Sequence, residues 1–583
     1  MKAYTKRCII GLVTLILTIH AGLLTWSAWV HAPLVDEPAH LSAGLSHWKK
    51  FSFDLYRVNP PLIRMVAAFP ILFVPHNDDW TSYSDDLYRR AEFQVGTDFI
   101  NANPERYRLL LFLARCFCIP LSLLGGYVCY RFGTELFGRL AGFFALLLWC
   151  FSPMILAFGY VIMPDVGSAT FGILAFYVFY VWLRSPDWSR CYFAGIALGV
   201  AQLTKFTLLT FYPIMIGFWG LYAFTMRKTI TRQIWFLQSS QLLALLFISV
   251  LVINFGYGFE GSLIPLKDYE FISRTMCGNT KWNHETGFTP TGNRFRETWL
   301  GHVPVPVPAN YLLGIDVQKK DFEIGQDSYF FGEWSKEGWY SYYLTGLVIK
   351  EPLGFWTLLA IAIVLAVRSR AHRTNTCAEV MLIVPVLIIM LLISSQTKLN
   401  HHLRYAIPIL PFLFIHASRL GKHCEKRFFV LALSLPLMAW FFLSSLYFYP
   451  HSQAYFNILI GRPENAPKYL LGTNIEWGQD LFFLEQWYRA NPDVFDIKVA
   501  YSGVYPLEHT TIPVSGMPPS NDPQPGWYAL SVNYLYDRSG QYRYFLNFKP
   551  VAMAGYSIYI YHLTQEDVER LSNDSSQETR ETP

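Results

Sequence analysis

Charge is what this chain has least of. Only 15% of its 583 residues are Asp, Glu, Lys or Arg, against about 25% in an ordinary soluble domain. That shortage excludes a disordered or collagen-like chain and is hard to reconcile with a soluble enzyme of two or three domains. Cysteine is scarce too, at nine residues. Cys116, Cys118, Cys129, Cys150 and Cys191 lie in or beside apolar blocks, and Cys277 stands alone in a polar stretch. With no CxxC pair, neither a disulfide framework nor a cysteine metal site is expected, and the cysteines read as small apolar packing residues. A GxxxxGK[ST] phosphate loop, a GxSxG nucleophile elbow and an HExxH zinc helix are also missing, so neither nucleotide use nor a nucleic-acid partner is expected.

What the chain has in quantity is apolar surface: 52% hydrophobic and 17% aromatic residues. They fall in blocks of about 17–25, the length that crosses ~30 Å of hydrocarbon. Eleven spans are expected, at about 9–30, 109–130, 140–158, 166–183, 191–203, 206–224, 235–255, 342–367, 380–395, 405–416 and 428–447. The first reads as an uncleaved anchor, being long for a signal sequence and lacking an A-x-A site. Placing the N-terminus in the cytoplasm puts Lys2, Lys6, Arg7, Arg131, Arg139, Arg184, Arg190, Arg227, Lys228, Arg232, Arg368, Arg370, Arg373, Arg419, Lys422, Lys426 and Arg427 on that side. Only Glu135, Asp187, Glu379 and Glu425 accompany them, an asymmetry that fixes orientation by the positive-inside rule.

That topology leaves three large pieces outside: a loop at about 33–106, another at about 256–341, and a tail from about 449. The expected fold class is mainly α: a polytopic membrane module, 1–448, followed by a small extracytoplasmic α/β domain, 449–583, with a frayed end. In that tail 480–489 reads as an amphipathic helix, and 498–501, 526–532 and 557–562 read as strands.

Charges near hydrocarbon are costly and therefore candidates for function. Asp36 and Glu37 follow the first span directly, with His40 and His47 close by, a set suited to general-base work or a divalent cation. The same pair could simply start a helix, Asp36 as cap and Pro38 in the first turn. Asp165 opens the fourth span on the same side. Lys205, Lys350, Lys398, His401, His402 and Arg404 also lie at outer span ends, where they could hold a phosphate headgroup or snorkel as anchors. The adjacent His401 and His402 point about 100° apart on a helix and make a poor metal pair. Trp282, Trp299, Trp334, Trp339 and Tyr340 could stack on sugar or mark the membrane interface. Trp477, Gln479 and Asp480 could reach an acceptor or build the tail's own helix start.

In order along the chain, Asp36-Glu37, Asn59-Pro60-Pro61-Leu62, MPDV around Asp165, LTKFT around Lys205 and NHHLRYAIPILP around Arg404 resemble the motifs of family 39 of the GT-C membrane glycosyltransferases, the protein-O-mannosyltransferase and aminoarabinose-transferase-like group. FFGEWSKEGWYSYYL, IKEPLG and TNIEWGQDLFFLEQW resemble a bacterial branch of it. The family's HPPL element has Asn59 in place of His here. The resemblance implies an inverting transfer of sugar from a polyprenyl-phosphate-linked donor, a lipid, to a protein, lipid or glycan acceptor at the outer face of the plasma (inner) membrane. By the same resemblance Asp36 would be the general base, Glu37 would orient it or help hold an ion, and Asp165 would assist. Arg404 and Lys205, with His401, His402 and Lys350, would hold the donor phosphate. Asn59, Trp334 and Trp339 would contact substrate. A divalent cation (Mg²⁺ or Mn²⁺) on the carboxylates stays open, with no obligate metal expected. A transporter or lipid flippase, or a non-catalytic scaffold on the same fold, are the competing readings; the former would show matching halves, the latter loss of Asp36 or Arg404.

Overall fold

Buried in hydrocarbon, a backbone has no water to bond to, so each apolar run closes its own hydrogen-bond ladder as a helix. The computed structural model of the protein describes residues 2–225, 231–278, 291–368, 376–424, 427–461 and 463–578. Arg227, Lys228, Trp282, Arg370, Arg373, Glu425 and Lys426 lie outside the described residues. Among the described residues seven helices are long and apolar enough to cross a membrane: Arg7–Val30, Tyr107–Phe137, Pro164–Arg184, Phe206–Thr225, Arg232–Gly256, Ala378–Ser395 and Phe428–Phe448. An eighth crossing arises if Tyr342–Lys350 and Leu353–Arg368, bent by 110° about Glu351-Pro352, count as one. The protein is a multi-pass membrane protein, mainly helical, with a small mixed sheet near its C-terminus.

Eleven spans thus become seven or eight, and the three others fail for local reasons. Segment 140–158 is split into Arg139–Phe151 and Pro153–Phe158 by an extended Ser152, as expected of a residue preceding proline. Segment 191–203 falls in Trp188–Gln202, whose 15 residues reach only about 22 Å at 1.5 Å per residue. Segment 405–416 is divided between a 3-10 stretch, Leu403–Ile409 with Pro408 inside it, and the nine-residue helix Leu410–Ser418.

Close helix contacts rest on small residues, since lipid gives apolar helices no reason to prefer each other. A Cβ at Gly195 or Gly199 would come 2.8 Å from the Leu245 or Ser249 carbonyl of Arg232–Gly256, so this GxxxG ridge lets two backbones touch. The outward sides of the spans carry exposed Ile10, Leu12, Leu15, Leu243, Phe247, Leu387 and Leu391, as lipid contact requires.

One end of the bundle is covered by the connections. Residues 33–106 form helices Glu37–Lys50, Leu62–Ala68 and Ala91–Ala102. The later connection supplies Ala309–Ile324 and an antiparallel hairpin, Ser328–Phe330 with Glu333–Ser335. In the tail the expected elements form, as helix Leu481–Ala490 and strands Ile497–Ala500, Gly526–Ser531 and Ile558–Leu563. A short strand missed in the sequence, Ala552–Ala554, completes the sheet at its edge. Ile497–Ala500 pairs in parallel with Gly526–Ser531, and the other neighbours are antiparallel. The tail is laced to the first connection: the Ala32 amide donates to Gln479 O at 2.9 Å and the Val35 amide to Trp477 O at 3.1 Å.

Candidate active site

The adjacent carboxylates Asp36 and Glu37 part company. Asp36 holds the N-cap position of Glu37–Lys50, with proline in the first turn, yet its side chain makes no capping bond. Its Oδ2 instead lies 3.3 Å from Arg404 Nη2. Glu37 is fully buried. Arg115 donates to it twice, Nε to Oε1 at 2.9 Å and Nη2 to Oε2 at 2.5 Å. The Leu34 and Ile162 amides donate to the same carboxylate at 2.9 and 3.2 Å. Arg115 spends its remaining donors on the carbonyls of Ala28, His31 and Ala32. Glu37 is thereby a strut that fixes the turn presenting Asp36. Arg115 was legible as the one charge inside an apolar run, LLLFLARCFCIP, but only contact shows its partner.

Three further charges, from three separate segments, meet Asp36. Asp165 lies in the first turn of Pro164–Arg184. Lys205, extended before the 3-10 turn Phe206–Thr210, reaches Asp165 Oδ1 with Nζ at 2.5 Å. Arg404, on the Leu403–Ile409 turn, sets Nη1 3.6 Å from Asp165 Oδ2. Its guanidinium carbon stands 4.1 Å over the Trp477 ring, and Lys205 Nζ stands 4.6 Å over Tyr405. Asp165 Oδ2 and Arg404 Nε are buried without a hydrogen-bond partner, so the cluster keeps unused bonding capacity. Two anions and two cations balance, with one acid at the edge: the Asp36 side chain retains 15% exposure, while Asp165 retains 1%. Burial pushes the Asp36 carboxyl above the ordinary carboxylate range, with Arg404 and, more weakly, Arg90 pulling it down. Burial lowers the Lys205 ammonium against the pull of Asp165.

The remaining expected residues sort by their contacts. His402 Nδ1 lies 2.8 Å from Thr473 Oγ1, and the ring sits between Tyr405 and Trp477. Desolvation, then the charges of Arg404, His401 and Lys205, holds His402 well below its ordinary value. His401 is half-buried, and desolvation holds it below its ordinary value more strongly than Asp327 raises it. Lys350 Nζ donates to the carbonyls of Gln453 and Asn474 at 2.6 and 2.7 Å. Since the Asn474 side chain accepts from the Leu403 amide at 3.1 Å, Lys350 supports the Arg404 turn from behind. Asn59 takes positive φ (63°), and its Oδ1 is buried without a partner. Arg64 clasps the carbonyls of Tyr56, Val58, Asn59 and Pro60, which shapes that loop. Trp334 donates its indole N–H to Tyr536 O at 3.1 Å, and the Trp339 amide donates to Asn400 at 2.6 Å; their rings pack on Tyr329 and Phe330. The aromatics that touch the charge cluster are instead Trp477 and Tyr405.

A cavity of about 290 Å³ begins at Lys205 and Tyr405. Its walls come from Phe206, Leu209, Ile315, Phe322, Leu392 and Ile393, with Gln318, Lys319 and Gln396 supplying the polar part. Leu209 and Leu392 belong to membrane-crossing helices. A divalent cation does not suit the three expected carboxylates: Glu37 is saturated by Arg115, and Asp165 is already paired with Lys205.

Residues 110–253 match the family model described as dolichyl-phosphate-mannose-protein mannosyltransferase. In that segment, about a quarter of the chain, the protein is similar to this family. The family is one of glycosyltransferases, as the motifs imply. The matched segment supplies Asp165 and Lys205, whereas Asp36 and Arg404 come from either side of it. No curated protein matches the chain. Among solved structures, ArnT from Cupriavidus metallidurans in the apo state is similar at 14% identity, over 94% of this chain and 97% of that one, with a TM-score of 0.43. The same protein bound to undecaprenyl phosphate is similar at 13% identity over the same shares, with a TM-score of 0.43. The apo oligosaccharyltransferase from Archaeoglobus fulgidus is similar at 12%, over 82% of this chain and 58% of that one, with a TM-score of 0.42.

Proposed function

We propose that the protein transfers a sugar from a polyprenyl-phosphate-linked donor to an acceptor hydroxyl at the extracytoplasmic face of the plasma membrane, with inversion. The observation that carries this reading is the meeting of Asp36, Asp165, Lys205 and Arg404, of which Lys205 also lines an apolar-walled cavity. The family of the matched segment is named for a lipid-phosphate sugar donor, which suits a cavity with hydrocarbon walls and a cationic end.

In this reading the acceptor oxygen attacks the anomeric carbon opposite the phosphate. The carbon–oxygen bond to phosphate breaks, its electron pair leaves with the polyprenyl phosphate, and the acceptor proton passes to Asp36. A raised carboxyl is a better base than an ordinary one once deprotonated, which is the use of the partial burial of Asp36. Arg404 and Lys205 meet the charge that grows on the leaving phosphate; held before reaction, they need no reorganisation during it. Asp165 sets the positions of both cations, and Glu37 sets that of Asp36 through Arg115. Asn59 Oδ1 has capacity for a substrate hydroxyl. The test is release of polyprenyl phosphate from radiolabelled donor by purified protein, with a membrane extract as acceptor source. Wild type should turn over and Asp36→Asn should not; equal turnover by both would sink the base assignment.

A further inference from the structure

Behind Asp36, at the seam between the bundle and the tail, three potential metal ligands converge. His31 follows the first span, His451 follows the last, and Asp480 precedes the helix Leu481–Ala490. One ligand-capable atom from each lies within 4.8 Å of the other two, and among the described residues this is the one such group. His451 Nδ1 faces Asp480 Oδ1 at 3.4 Å. Neither atom has a hydrogen-bond partner, although Asp480 is 1% exposed.

We infer that His31, His451 and Asp480 bind a first-row divalent metal ion, Zn²⁺ by preference, that clasps the tail to the first connection. A tetrahedral ion with bonds of about 2.0–2.2 Å sets its ligand atoms about 3.3 Å apart, which is the separation His451 and Asp480 already show. Two imidazoles and one carboxylate favour Zn²⁺ over Mg²⁺ or Ca²⁺, which take oxygen ligands. The surroundings are those of a supported site. His31 Nδ1 lies 2.9 Å from Ser27 O and 3.1 Å from the Tyr160 hydroxyl; donation from Nδ1 to the Ser27 carbonyl would leave Nε2 for an ion. Ser557 Oγ donates to Asp480 Oδ2 at 2.7 Å and turns Oδ1 inward. Phe483 covers both histidines, with ring centroids 5.5 and 4.5 Å away. His451 keeps 18% exposure, which gives an ion its way in and a water the fourth position.

The consequence is mechanical. The clasp would reinforce the Ala32–Gln479 and Val35–Trp477 backbone bonds, placing Trp477 under Arg404 and Asp36 beside it. It closes loops of some four hundred residues with ligands that an unfolded chain does not bring together, so bound metal stabilises the fold.

Full-length protein purified in detergent, stripped with chelator and titrated with Zn²⁺ should take up one ion per chain and unfold at higher temperature when loaded. Co²⁺ in its place should give the intense visible bands of a four-coordinate site, a readout that needs no variant. His31→Gln and Asp480→Asn should each weaken uptake by more than ~10–100-fold, while Asp36→Asn keeps it. Absence of saturable Zn²⁺ uptake and of Co²⁺ bands in wild type overturns the inference. So does uptake unchanged in both ligand variants or lost in Asp36→Asn. The transferase reading stands or falls separately, on turnover by Asp36→Asn.

Discussion

Arg115 grips both carboxylate oxygens of Glu37, at 2.9 and 2.5 Å, inside a site closed to solvent. Breaking a buried pair by removing one charge leaves the other stranded, at a cost of about 3–5 kcal/mol. Glu37→Gln and Arg115→Met should therefore lower the unfolding temperature of detergent-purified protein, followed by intrinsic fluorescence. The double variant Glu37→Leu with Arg115→Leu should be less destabilised than the sum of the two single losses. If Glu37→Gln unfolds like wild type and only loses turnover, Glu37 acts on substrate and the strut assignment is wrong.

Asp36 should give the turnover profile its acid limb. The active form is the carboxylate, so rate rises with pH through the pKa of Asp36, which burial places above the ordinary carboxylate range. Arg404 opposes that shift. Arg404→Gln should thus move the limb to higher pH as well as weaken donor use. A limb that stays in place, or moves toward acid, would show that another group titrates.

The sequence made the pieces of this site legible better than their pairings. Asp36, Asp165, Lys205 and Arg404 stood out because charge at a span end is expensive, and all four meet. Glu37 was indistinguishable from Asp36 as a neighbour in sequence, since consecutive residues carry no record of which side chain is buried. Lys350 shares charge with the cationic end but is turned to the carbonyls of Gln453 and Asn474. Tail strands were readable from alternation, whereas the three-residue Ala552–Ala554 is too short to show any period. Spans were overcounted where apolar composition continued across a helix break, as at Ser152-Pro153 and Pro408. His31 and His451 gave no signal, because 420 residues separate them.

Lys205 and Asp165 form the second buried ion pair, 3% and 1% exposed. Lys205→Met removes a phosphate donor and strands Asp165, whose remaining cation is Arg404 at 3.6 Å. A charged hydrogen bond is worth about 1.5–3 kcal/mol, so donor KM should rise by roughly ten- to a hundred-fold. Acceptor KM should hold. Lys205→Arg should recover part of the loss if charge at that point is what counts. Equal rises in both constants would place Lys205 in general structure and remove it from the donor.

The cavity wall makes a prediction about chain length. Leu209 and Ile393 line the space that runs from Lys205 between membrane-crossing helices. If the donor lipid lies there, an indole at either place narrows a cavity of about 290 Å³ that isoprene units need. Leu209→Trp and Ile393→Trp should then depress turnover of long polyprenyl donors while sparing a donor cut to one or two isoprenes, since Lys205 and Arg404 remain in place. The two donors compared on one variant separate a blocked lipid path from a misfolded protein, because misfolding lowers both alike. Long and short donors losing turnover in step would move the lipid to another face of the bundle, leaving the Asp36 cluster with its chemistry but without this entry.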